Sequence, residues 1–418
     1  MGDDTATAGR ALAAALAAER LRIVAGLIRT TRDWDLAEDC VQDAAVRALD
    51  RWPVDGIPDN PAAWLTTTAH RRALDVLRRR TTEADKLRQV QAMQELAPAE
   101  AADDDLLMLL FTCCHPALPL AGRVALTLRT VSGLSTRQIA AAFLSTEATM
   151  GQRLLRAKNK ITHAGISFAL PEPHRLAERT VGVLAVIYLV FNEGYVSSDG
   201  PAQDPLLARE AVELAGLVAE LMPYESETHA LQALLLLQHS RWSARVDKDG
   251  DLVAMEHQDR TRWNRGLIDD GLTALRRSRA TSTGIVGPYR VQAEIAALHA
   301  TAPTAAATDW AGVVDWYDVL LQAQPSPVVA LNRAVAVGFR DGPAAGLLAV
   351  DQVADDARIA GYHLLPAVRA DLLRRAGRLT ESAPAYRAAL ELARTDAERR
   401  FLQRRLDQVS ASVDPDTV

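Results

Sequence analysis

Two stretches concentrate side chains able to do chemistry, and that chemistry is reversible recognition of a polyanion. The first is LSTRQIAAAFLSTEATMGQRLLRAKNKI, residues 134–161. Ser135 and Gln138 have the spacing of a capping box, which predicts a short helix ending near Phe143. A tight connection follows, and Ser145 or Thr146 can cap a second helix. In that helix Met150, Leu154, Ala157 and Ile161 repeat at the spacing of a buried stripe. Thr149, Gln152, Arg153, Arg156 and Lys160 fall outside it, with Lys158 nearby, and no acidic residue occurs between 148 and 171. Arginine forks on an exposed helix can bind guanine edges or phosphates, the layout of a helix-turn-helix. The same pattern fits an ordinary helical hairpin with a basic solvated face.

The second stretch is AWLTTTAHRRALDVLRRR, residues 63–80. Leu65, Ala69, Ala73 and Leu77 share one face, whereas Arg71, Arg72, Arg78 and Arg79 form a basic strip. Trp64 stands at the start of this helix, after a loop. Basic side chains beside an aromatic suit single-stranded or melted DNA, which needs backbone neutralisation and a stacking surface. A solvated face with Trp64 in the core is the alternative.

The elements that must position these residues can be read outward from them. DLAEDCVQDAAVRALD (35–50) predicts a helix that buries Leu36, Cys40, Val41, Ala44 and Ala48 and exposes Glu38, Asp39, Gln42, Asp43 and Arg47. RWPVDGIPDNP (51–61), with three prolines and a glycine, reads as a loop. Residues 81–105 hold seven acidic residues against two basic ones and read as an acidic linker. A second compact unit spans 106–170 and ends at PEP.

From 174 to 418 the pattern is helix after helix. One exception is ARVDKDGDLVAM (244–255), where Asp249-Gly250 between apolar pieces predicts a β-hairpin. The segments ALNRAVAV at 330 and PAVRADLL at 366 recur at an offset of 36 residues. Paired helices at about that period are the mark of tetratricopeptide-like solenoids, and 361–394 fits the unit best. Asn192, Glu193, Asp259 and Arg260 are polar residues set among apolar and aromatic ones. They can lock helix packing by buried hydrogen bonds or line a ligand site.

Composition bounds the rest. The 418 residues are 49% hydrophobic and 5% aromatic, with long Ala/Leu tracts, which favours an all-α protein of several domains. A formal net charge of −6 excludes a basic nucleic-acid coat, so such binding must come from local patches. Three cysteines make no disulfide framework and point to a reducing cytoplasm. The longest apolar tract, 181–191, falls short of the roughly 20 residues that span a bilayer. CCHP (113–116) lacks a second ligand pair for a metal, and DKDGD (247–251) lacks the spacing of a calcium loop. No phosphate-binding loop, dinucleotide motif, nucleophile elbow or HExxH appears. Neither an enzyme nor a cofactor is expected.

The order of DLAEDCVQDAAVRAL, NPAAWLTTTAHRRALDVLRRR, acidic linker and helix-turn-helix resembles bacterial RNA polymerase sigma factors of the extracytoplasmic-function type, over about residues 10–165. The resemblance implies a region 2-like domain (1–80), the linker (81–105), a region 4-like domain (106–170) and an extension (174–418). It implies that Glu38, Asp39, Gln42, Asp43 and Arg47 dock on core polymerase at the β′ clamp helices, with a further contact at the β flap. It implies that Asn60, Trp64, His70, Arg71, Arg72, Arg78 and Arg79 melt and read the −10 element. Thr149, Gln152, Arg153, Arg156, Lys158 and Lys160 would read the −35 element. The family commonly has Asn in the place of Arg71, so its −10 preference does not transfer directly. YLVFNEGY (188–195), HQDRTRWNRGLI (257–268), YRVQAEIAALHA (289–300) and GYHLLPAVRADLLRRAGR (361–378) look like the branch with a tetratricopeptide-like extension. There the extension, with Asn192, Glu193, Asp259 and Arg260 as candidates, supplies regulation in place of a membrane-bound anti-sigma factor. Two other readings share the parts: a helix-turn-helix regulator with a sensing repeat domain, and a repeat-type scaffold or adaptor. Only a sigma factor needs a polymerase-docking face on 35–50.

Overall fold

The computed structural model describes residues 2–80, 100–143, 145–195, 205–248, 250–282, 284–393 and 395–413. The chain divides into two compact units, Met1–Val186 and Ile187–Val418. The described residues are almost wholly helical.

The first unit opens with α1 (Gly2–Thr31), α2 (Trp34–Asp55) and α3 (Pro61–Arg80), which pack on one another. Asp33 caps α2 by accepting from the Leu36 amide at 2.9 Å. The buried face of α2 is Leu36, Ala37, Cys40, Val41, Ala44, Ala48 and Trp52, which contains every residue the spacing assigns to it. This helix runs further than expected, through Pro53 to Asp55. Burial of Trp52, 3% exposed, rewards an extra turn, and a proline in that turn forfeits one hydrogen bond. Gly56, at φ 89°, ends the helix by donating its amide to the Trp52 carbonyl.

The expected linker 81–105 lies outside the described residues for 81–99, while residues 100–105 already form the start of α4 (Glu100–Cys113). Acidic residues in a first turn favour helix, because the amide end of the helix dipole is positive. Next come α5 (Leu120–Thr130), α6 (Thr136–Ala142) and α7 (Glu147–His163). The capping box forms as expected. The Ser135 amide donates to Gln138 Oε1 at 2.9 Å, and the Gln138 amide donates to Ser135 Oγ at 3.2 Å. Thr146, rather than Ser145, caps α7 through the Thr149 amide at 3.1 Å. Met150, Leu154, Ala157 and Ile161 are the buried residues of α7. Cys113 and Cys114 are buried, and burial pushes the Cys114 thiol up to about 11. Among the described residues no cluster could hold a metal ion, and no helix is long and apolar enough to cross a membrane.

Helix α8 (Pro173–Tyr195) carries the boundary between the units. In the first unit, its Arg179 donates to the Phe111 carbonyl at 2.5 Å. In the second, α9 (Pro205–Leu221), α10 (Ser226–His239), α11 (Arg265–Thr281), α12 (Pro288–Thr301), α13 (Trp310–Ala323), α14 (Pro327–Arg340), α15 (Pro343–Asp351), α16 (Leu364–Arg375), α17 (Leu379–Leu392) and α18 (Asp396–Val413) pack mainly on their neighbours in sequence. The apolar core is accordingly a series of clusters. One centres on Leu237, Trp263 and Leu275, the next on Val291, Val313 and Val337, and the last on Tyr386, Leu402 and Val409. Where a hairpin was expected, the described residues show one antiparallel bridge, Val246 to Leu252, and no strand. Asp249 of that turn lies outside the described residues.

The α14–α15 contact depends on glycine. A Cβ on Gly346 would stand 2.8 Å from the Gly338 Cα and 3.2 Å from the Ala334 carbonyl, both of them backbone. We expect Gly346→Ala to destabilise the second unit by about 1–3 kcal/mol, the usual cost of overpacking a core. Gly338→Ala should cost less, since its nearest obstacle is the movable Leu372 Cδ2. Urea unfolding of the two variants checks the order.

Candidate polymerase and nucleic-acid interfaces

The face of α2 opposite its buried stripe is divided in use. Asp39, Gln42 and Arg47 are exposed. Asp43 accepts from Arg72 Nε of α3 at 2.5 Å, and Glu38 accepts from Arg129 Nη2 of α5 at 2.7 Å. The Glu38 side chain is only 16% exposed, and Arg20 and Arg129 both lie in its field. One turn earlier, Asp35 receives Lys158 Nζ of α7 at 2.7 Å. The acidic helix is thus tied to α5 through Glu38 and to the second helix of the helix-turn-helix through Asp35.

On α3, Leu65, Ala69 and Ala73 are buried, Leu77 is partly buried, and Arg71, Arg78 and Arg79 are exposed. Trp64 is half-buried, meeting Trp52 edge-on with ring centroids 5.5 Å apart. Together with Arg51, Asp55, Gly56, Ile57, Pro58 and Asp59, the two tryptophans line a recess of about 370 Å³ between α2 and α3. Three expected members do other work. Asn60 caps α3, its Oδ1 accepting from the Ala63 amide at 3.0 Å. His70 packs Nδ1 against the Thr66 carbonyl at 2.9 Å, and burial lowers its pKa. Arg72 is engaged with Asp43. Helical spacing shows that a residue leaves the apolar stripe, but not which neighbour it then meets.

On α7, Thr149, Gln152, Arg156 and Lys160 are exposed and Arg153 is half-exposed, so these side chains form one basic, polar face. Among the described residues no acidic side chain pairs with Arg153, Arg156 or Lys160. Lys158 is turned away and covered, 15% exposed, on Asp35. At 100° per residue it lies well off the line through 149, 153, 156 and 160, a signal already present in the spacing.

Comparison with known families decides what these parts compose. Residues 16–83 match the model of sigma-70 region 2, and residues 108–161 match that of sigma-70 region 4. The chain belongs to the sigma-70 family of RNA polymerase sigma factors. It is of the extracytoplasmic-function type with a C-terminal extension, and it binds core RNA polymerase and promoter DNA to direct transcription initiation. Residues 179–279 of the sigma factor match a family of unknown function, DUF6596. The sigma factor is 43% identical over 415 residues to an uncharacterized protein of Rhizobium meliloti (strain 1021), covering 97% of this chain and 96% of that one. No solved structure matches it.

In the extension, the polar candidates separate into two kinds. Asp259 is exposed and accepts from the Thr261 amide at 2.9 Å and Thr261 Oγ1 at 2.6 Å; these bonds hold its carboxyl below the usual range. Arg260 is 9% exposed, donates to the His299 and Ala302 carbonyls at 2.5 and 2.6 Å, and lies over the Trp263 ring. Both lock packing. Asn192 and Glu193 instead line a cavity of about 920 Å³ within the second unit. Also in the wall are Arg241 and Arg245, which no local sequence pattern singles out.

Proposed function

We propose that the sigma factor divides its work as follows. The exposed residues of α2 (Asp39, Gln42 and Arg47) begin docking on the β′ clamp helices. The loop 56–60 and α3 open and read the −10 element, with Trp64 and the adjoining recess receiving an unstacked base and Arg71, Arg78 and Arg79 holding phosphates. Unstacking costs a few kcal/mol, which cation–phosphate contacts and a stacking surface would offset. Helix α7 reads the −35 element with Gln152, Arg153, Arg156 and Lys160, and region 4 meets the β flap. The work is binding and DNA deformation, without covalent chemistry.

The observation that carries this reading is the pairing of Glu38 with Arg129 and of Asp35 with Lys158. Acids of the docking helix are neutralised by bases of the region 4-like domain, so this helix is held against that domain while Arg153, Arg156 and Lys160 of α7 keep no acidic partner among the described residues. Polymerase binding then requires these pairs to part. The extension, a tetratricopeptide-like stack of helix pairs, regulates this opening by contact with the sigma domains.

Partly exposed ion pairs contribute about 0.2–1 kcal/mol each and are screened by salt. Replacing Arg129 and Lys158 together by alanine should therefore raise the apparent affinity for core polymerase by about three- to tenfold at low salt, and by less at high salt. A fluorescence-anisotropy titration with core enzyme measures this. An unchanged or lowered affinity would count against a closed state held by these pairs.

A further inference from the structure

The cavity of the extension has a chemical polarity that packing alone does not require. At one side stand Arg241 and Arg245. Arg245 donates Nη1 to the Tyr195 carbonyl at 2.5 Å and lays its guanidinium 3.5 Å from the Tyr195 ring centroid. Arg241 donates Nη2 to Gln238 Oε1 at 2.7 Å and lies 5.7 Å from the same ring. Among the described residues neither arginine has a carboxylate within 4.0 Å. Two neighbouring guanidiniums thus share a neutral ring and two neutral acceptors, although covered charges are normally paired with opposite ones. Each has been given some of its five donors and keeps others. Burial, with Arg241 close by, lowers the Arg245 pKa to about 10.

The remaining wall is of another kind. Leu252, Val253, Met255, Leu364, Phe401 and Leu402 make it largely apolar. Two carboxylates also stand in the wall, and both are committed elsewhere: Glu193 is engaged with another group, and Glu398 Oε2 caps the α18 start by accepting from the Thr395 amide at 3.0 Å, with His363 Nε2 3.5 Å from Oε1. Sites for small molecules are commonly apolar hollows of 300–1,000 Å³ with a few placed polar groups. This hollow has that size, an apolar body and a cationic end.

We propose that the extension binds a small amphiphilic carboxylate, its anionic head on Arg241 and Arg245 and its apolar body along Leu252, Val253, Phe401 and Leu402. Arginine suits the head group, because its planar fork can meet both carboxylate oxygens at once. Binding here is independent of whether the extension regulates the sigma domains, so it is read without polymerase or DNA.

The test is a calorimetric titration of the full-length protein with sodium dodecanoate, below the concentration at which it forms micelles. Dodecanol serves as the uncharged probe and inorganic phosphate as the anion without an apolar tail. The expected result is one saturable dodecanoate site, with dodecanol at least about tenfold weaker, since a charge-assisted hydrogen bond is worth at least that factor. Phosphate should show no saturable binding. Arg241→Gln should weaken dodecanoate about tenfold and leave dodecanol unchanged; glutamine is uncharged and the position is only partly buried. Leu364→Glu, at a wall position 37% exposed, should also weaken dodecanoate by placing a like charge beside it. Equal affinities for dodecanoate and dodecanol, phosphate binding as tight as dodecanoate, no saturable dodecanoate binding, or indifference to both substitutions would overturn the proposal.

Discussion

Replacing Arg153 and Arg156 together by alanine will weaken binding to the −35 element by about thirtyfold or more, while affinity for core polymerase stays unchanged. Both side chains lie on the polar face of α7, and neither has an acidic partner among the described residues. Each good groove contact is worth about 1–3 kcal/mol, and two adjacent ones need not add fully. The buried stripe Met150, Leu154, Ala157 and Ile161 is untouched, so the helix should remain folded. Salt dependence separates two modes of contact. Loss of phosphate contacts lowers the log–log salt slope by about 0.9 for each phosphate released, whereas loss of base contacts relaxes sequence preference with the slope kept. Lys158→Ala should do much less to −35 binding, because Lys158 is turned to Asp35. Equal losses of DNA and polymerase affinity in the double variant would contradict the assignment of this face.

A second large effect is expected from acid. His299, on α12, is held between apolar packing and positive charge. Burial, followed by the fields of Arg241 and Arg260, lowers its pKa to about 4 from an ordinary 6.5. Its ring meets Trp310 edge-on at 5.2 Å. The folded protein therefore keeps this imidazole neutral, while the unfolded chain takes up a proton below pH 6.5. Stability from this group is fully present above about 6.5, is lost as pH falls, and reaches its full loss below about 4. At 1.36 kcal/mol per pH unit the loss amounts to about 3 kcal/mol. Urea unfolding of the second unit at pH 7 and pH 4 measures it. His299→Gln, which cannot titrate, should lose about 3 kcal/mol less than the parent over this interval. Equal acid losses would show that His299 is not the responsible group.

Local features of the fold were the most legible in the sequence. The Ser135–Gln138 box and the stripes of α2 and α7 all follow from rules that act within a few residues, and all are present as the spacing implies. The end of α2 was misplaced for a tertiary reason. Pro53 is a local stop signal, but Trp52 gains enough burial against Trp64 to carry the helix past it. The ion pairs that join α2 to α5 and α7 span 91 and 123 residues, and nothing in the local pattern of Glu38 or Asp35 selects Arg129 or Lys158. The roles of Asn60 and His70 were hidden likewise, since each is defined by a backbone partner. In the extension the sequence pointed to Asn192 and Glu193, which do reach the cavity. It missed Arg241 and Arg245, whose significance lies in the carboxylates that are not beside them.

As a sigma factor, this chain brings core polymerase to a promoter through its region 2 and region 4 domains. Run-off transcription tests it most directly, with purified core polymerase, a promoter template from the source genome, and either the full-length protein or chains ending beyond Tyr195. A discrete transcript is expected that requires the factor and is lost in the Arg153→Ala, Arg156→Ala double variant. If no factor-dependent transcript forms with the full-length protein or with any shortened chain, while the protein still binds DNA, the sigma account is contradicted and a polymerase-independent DNA-binding regulator takes its place.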